Sequence, residues 1–181
     1  GAGHLMITVA LFRNLNLGHL GSPTGDELIE AFGGPAVARS FQSNGTVVFE
    51  AMDPERASAE AIIRLRATGY QPSVVLRTLE QIRRAVEDVP PVDPGEGVYR
   101  SMISFFDVRQ LPTVRLPFRS PDGLVEIRAM GPDCAHSVCW KPRQAAGNVT
   151  GCLEQLLSVP VTTRTVATMQ RLLATISAST H

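Results

Sequence analysis

The sequence predicts an α+β protein, with a ferredoxin-like N-terminal subdomain over residues 6–89 packed on a smaller C-terminal subdomain over residues 98–178. Three observations predict it. Strand-length apolar runs and helical patterns follow the order β-α-β-β-α-β-α through the first half, the order of a split βαβ unit with an added helix. Pro90-Pro91-Val92-Asp93-Pro94-Gly95-Glu96-Gly97 is a seam whose prolines and glycines resist both helix and sheet. Beyond it come several strands and then two helices.

Met6 to Phe12 is a nearly unbroken apolar run, as expected of a strand covered on at least one face. A loop with Gly18, Gly21 and Pro23 follows Arg13-Asn14-Leu15-Asn16. Thr24 and Glu27 then form a capping box for a short helix with Leu28, Ile29 and Phe32 on its apolar side. Val37 to Gln42 and Thr46 to Ala51 read as strands joined across Asn44-Gly45, a dipeptide suited to the positive φ of tight hairpin turns. Asp53-Pro54 supplies an N-cap and first-turn proline for a helix to about Thr68, closed by Gly69. Ser73 to Arg77 is the fourth strand, and Thr78 with Gln81 caps a helix carrying Leu79, Ile82 and Val86.

Past the seam, Val98 to Phe106, Leu124 to Ala129 and Ser137 to Trp140 read as strands, with Pro121-Asp122-Gly123 as a turn. A short helix is expected near Gly151 to Leu157. A longer one is expected from Arg164 to Ile176, with Val166, Met169, Leu172, Leu173 and Ile176 as its stripe and Thr162 or Thr163 as its cap.

Lysine plus arginine balances aspartate plus glutamate at 17 each, so no overall field attracts nucleic acid, anionic membrane or acidic substrates. A nucleic-acid-binding module is further disfavoured because Phe41 and Phe49, the aromatics flanking the hairpin, fit apolar core positions. No apolar run approaches the about 20 residues needed to span a bilayer, and a cytoplasmic location is the expectation. Gly1 to Leu5 reads as an expression remnant ahead of a native start at Met6, so His4 is set aside. Three cysteines suit a reduced compartment better than a disulfide framework.

Cys134, His136, Cys139 and Cys152 are zinc-ligand residue types, but their spacing is poor for a metal site and they read as structural. No metal and no cofactor are expected, and neither a Walker loop nor a dinucleotide fingerprint is present. His19 sits in the loop after Arg13, where an exposed histidine and a general acid or base are both open readings. Arg13, where the chain leaves the first strand, is either a structural ion-pair arginine or a ligand contact. Arg164, expected in the first turn of a helix, would oppose the macrodipole there, which calls for a carboxylate partner or a bound anion.

Three segments, taken in order, resemble a bacterial family known as domain of unknown function 1697, over Met6 to Leu173. Arg13-Asn14-Leu15-Asn16-Leu17-Gly18-His19 stands where the family has R-G-I-N-V-G-G, keeping the arginine, the asparagine and the first later glycine. Phe41 to Phe49 stands where it has Y-I-Q-S-G-N-V-V-F, with Ser43 and Asn44 replacing its glutamine and serine and Thr46 its asparagine. Leu157 to Met169 is similar to L-G-V-P-A-T-T-R-N-W-x-T-V, with Thr165-Val166 in place of asparagine-tryptophan.

The family brings no established activity. The resemblance implies a shared fold and a recurring polar position, formed here by Arg13, Asn16, Ser43, Asn44, Gly45, Thr162, Thr163 and Arg164. The resulting expectation is an anionic or highly polar small molecule bound in a cleft between the subdomains. The alternative is a protein-interaction or self-association module without such a site; the sequence settles neither the oligomeric state nor the reaction.

Overall fold

The computed structural model describes residues 4–13, 21–41 and 45–179. Its architecture is mixed α+β, with two antiparallel sheets and five helices among the described residues. The chain divides into two compact units, residues 1–81 and 82–181.

In the first unit, β1 (Met6–Phe12) lies between β3 (Thr46–Ala51) and β4 (Val74–Thr78), and β2 (Ala38–Phe41) forms the edge beyond β3. All three pairings are antiparallel, with Val9 opposite Val48 on one side and opposite Arg77 on the other. Helices α1 (Gly25–Ala31) and α2 (Pro54–Ala67) cover one face. The two-residue period of a strand sends Ala10, Phe12, Val47 and Phe49 to that face, where Phe32 sits edge-on to Phe12 and tilted against Phe49 at 4.7 Å.

The local signals act as elementary chemistry demands. Thr24 Oγ1 accepts from Glu27 N while Glu27 Oε1 accepts from Thr24 N, which closes the capping box on α1. Asp53 caps α2 through Arg56 N, and Gly69 beyond its end takes φ +94°. Thr78 and Gln81 cap α3 (Leu79–Glu87) in the same reciprocal way.

The second unit is built on a five-stranded sheet in the order β6-β7-β8-β5-β9. Its strands are β5 (Arg100–Phe106), β6 (Phe118–Arg119), β7 (Val125–Met130), β8 (Cys134–Cys139) and β9 (Val161–Thr165). Helix α4 (Val149–Leu157) buries Val149, Leu153 and Leu157 against Phe106, Val125, Ile127, Ala135 and Val161 on one face. Ile103, Phe105 and Val138 alternate with that set and are buried on the opposite face, and α5 (Val166–Ser179) runs beside β5 and β9.

Three expectations change. The division at Gln81 and Ile82 places most of α3 and the proline-glycine seam with the second sheet, whereas the sequence puts the boundary in the seam. Side-chain ties account for this: Arg128 holds both carboxylate oxygens of Glu96, Trp140 Nε1 donates to Glu96 O, and His136 Nε2 bonds Ala85 O at 2.6 Å. Second, the strand expected over Ser137–Trp140 spans Cys134–Cys139.

The third change concerns the end of the chain. Thr162, Thr163 and Arg164 lie in β9, paired with β5, and not at a helix start. Helix α5 begins at Val166, and the hydroxyl that caps it is Thr165 Oγ1, which accepts from Thr168 N.

Candidate functional site

The sequence assembles its candidate site from three segments, and the structure treats them differently. Asn16, Ser43 and Asn44 lie outside the described residues, as does His19. In the first unit Gly45 takes φ +75° and its carbonyl accepts from Phe12 N, so this glycine joins the hairpin turn to the end of β1. Arg13 follows β1, is half-buried, and is fixed in the main chain by its N–H to Ser73 O at 2.9 Å.

In the second unit the Thr162-Thr163-Arg164 segment has its side chains divided by the strand period. Arg164 faces one way, opposite Ile103 on β5, and Ile103 is in turn opposite His136 on β8. Arg164, Ile103 and His136 thus form one row across three strands, and all three are buried.

Arg164 is 7 % exposed. One terminal nitrogen donates to Thr162 Oγ1 at 2.7 Å and to Thr163 O at 3.0 Å. Burial pushes its pKa down to about 10, because the low-dielectric surroundings disfavour the charged guanidinium. Arg164 thus lies in a strand, one residue before the Thr165 cap of α5 and outside the first turn of that helix.

The other face carries hydroxyls. Thr163 Oγ1 bonds Ser104 Oγ at 2.8 Å and receives a bond from Thr150 on α4 at 2.9 Å. Ser104 is fully buried beneath this chain, and Ser137 on the same face is buried with its Oγ unbonded. Ser104 and Thr150 are polar groups that sequence patterning does not single out. Ser104 breaks an otherwise apolar strand, Ile103-Ser104-Phe105-Phe106, and that interruption is the available signal.

Two further polar groups lie in core positions. Arg77, on the face of β4 away from α1 and α2, is 5 % exposed, and one of its terminal nitrogens donates to Leu76 O at 2.7 Å. His136 is held by Ala85 O, as described above. Cys134 and Cys139 are five positions apart on β8, which turns them to opposite faces, and burial raises the Cys139 thiol pKa.

No family model and no curated protein matches this sequence. In fold it is similar to solved structures. One is a conserved bacterial protein, SP0830 from Streptococcus pneumoniae, with a TM-score of 0.60 and 17 % identity over 94 % of this chain and 98 % of that one. At that identity the likeness speaks to fold alone.

Proposed function

We propose that this protein binds an anionic or highly polar small molecule, with Arg164 as its cationic anchor. The observation that carries the reading is a guanidinium held on a strand at 7 % exposure. Moving a charge out of water costs several kcal/mol, and an anion placed against it offsets that cost best with the planar fork of arginine. The hydroxyl of Thr162 and the carbonyl of Thr163 accept from the guanidinium and orient its fork.

A thermal-shift screen of phosphates, nucleotides and carboxylic acids tests it, using wild type, Arg164→Ala and Arg164→Lys. One ligand class at about 100 times its Kd stabilises wild type by about 2.7 kcal/mol, a rise of about 5 to 10 °C for a chain this long. The rise is absent in Arg164→Ala and reduced in Arg164→Lys, which keeps the charge but loses the fork. Equal rises in all three proteins, or none in wild type, would sink the assignment.

We also read the chain as a divergent member of the domain of unknown function 1697 family, on the three segments described, and as cytoplasmic. The first unit we read as ferredoxin-like, a reading supported by the antiparallel strand order β2-β3-β1-β4. A second functional reading, a self-association module, is favoured by Met6 and Met52, exposed at neighbouring positions where β1 pairs with β3. Light scattering across a hundredfold concentration range, with Met52→Glu as control, tests that reading. A constant monomer mass removes it.

A further inference from the structure

We propose that a groove in the second unit, between the β6–β7 turn and α4, binds a primary ammonium carried on a small apolar body. The groove encloses about 460 Å³, within the range of small-molecule sites. Asn148, Gly151, Cys152, Gln155 and Leu156 line one wall, and their spacing is that of a single helix face. The opposing wall is the turn Ser120-Pro121-Asp122, and Phe118 and Val125 supply an apolar floor.

Asp122 decides the ligand's charge. Its Oδ1 accepts from Ser120 Oγ at 2.6 Å and from Leu124 N at 2.9 Å, and these bonds hold its pKa below the usual carboxylate value. The carboxylate is therefore ionised at neutral pH. Its Oδ2 accepts no hydrogen bond from another described residue, and no described cation pairs with it.

The charge is felt across the groove: burial, and after it the Asp122 carboxylate, raise the pKa of the Cys152 thiol on α4. The groove thus offers a fixed negative charge, a carboxamide from Gln155 as a second acceptor, and apolar surface from Phe118 and Leu156. An anion would meet Asp122 unfavourably. A hard divalent cation is best held by several carboxylates, and no cluster of three His, Cys, Asp or Glu side chains occurs among the described residues. An ammonium on an apolar stem matches both parts of the lining.

The test uses 2-phenylethylamine as probe and 2-phenylethanol as its uncharged counterpart. The rate of Cys152 alkylation by iodoacetamide is read by peptide mass spectrometry, with Cys134 as internal control. At about 10 mM the amine slows Cys152 alkylation about threefold, because its apolar body covers the thiol and this outweighs the lower thiol pKa that follows when the ammonium offsets the Asp122 charge. The alcohol slows it little, and Cys134 is unaffected.

Asp122→Asn keeps an acceptor for Leu124 N, so the turn survives. It speeds alkylation of the free protein, because the thiol pKa falls, and it abolishes protection by the amine. Equal protection by amine and alcohol, no protection up to about 50 mM, or protection that persists in Asp122→Asn would each overturn the proposal. If Asp122→Asn does not fold, the comparison of amine with alcohol on the wild-type protein decides alone.

Discussion

Replacing Thr163 by valine keeps the shape of the side chain and removes only its hydroxyl. Ser104 Oγ, bonded to that hydroxyl at 2.8 Å and fully buried, then has lost this partner, whereas half-buried Thr150 can turn to water. An orphaned buried hydroxyl costs about 1 to 3 kcal/mol, so Thr163→Val should lose about 2 kcal/mol. Ser104→Ala should lose less, about 1 kcal/mol, since Thr163 keeps Thr150 as partner.

The double variant leaves neither hydroxyl behind and should lose only about 1 to 1.5 kcal/mol, well short of the sum, giving a coupling of about 1.5 to 2 kcal/mol. Equilibrium urea unfolding, followed by the fluorescence of Trp140, the single tryptophan, reads the second unit directly. With a slope of about 2 kcal/mol per molar urea, Thr163→Val shifts the midpoint by about 1 M. Additive losses, or a Thr163→Val shift below about 0.2 M, would refute the claim that the pair is buried and mutually dependent.

Ser158 is the one described residue other than glycine with positive φ, at +57° just past α4, where the resembling family carries glycine. Ser158→Gly should gain about 0.5 to 1 kcal/mol by relieving left-handed strain, measured as a rise in urea midpoint. In α1, hydrogen bonds from Thr24 N and Tyr70 Oη hold the Glu27 pKa below the ordinary carboxylate value. The sign for a depressed carboxylate is that stability is present above its unfolded pKa and lost as pH falls through the folded one. Tyr70→Phe should therefore raise the Glu27 midpoint in a carboxyl NMR titration and lessen the acid-induced loss. Phe49→Ala, at the centre of the first core, should cost about 3 to 5 kcal/mol in urea unfolding followed by far-UV circular dichroism, which reports the helices and sheet of the first unit as well.

Much of the first unit is legible because its signals are local. The run Met6–Phe12, the two capping boxes and the Asp53-Pro54 start each act within a few residues, and each element forms where those residues place it. The reading fails at Val161–Thr165. Threonine followed by a helical stripe looks like a cap, and it is one only at Thr165. Before it, Val161 to Arg164 are drawn into the sheet by β5, a partner far away in sequence. The strand Phe118–Arg119 is too short to leave a periodic trace.

By itself, then, the chain determined which segments are helix or strand wherever capping, turn geometry and apolar period lie within one element. It also determined a balanced charge that favours local recognition over a global field. Tertiary structure decided which side chains share a face. Pairing β5 with both β8 and β9 sets Arg164, Ile103 and His136 in one row and sends Thr163 to Ser104 on the other side. The physical reason is that strand register and burial depend on contacts distant in sequence, and moving a strand by one residue exchanges its two faces.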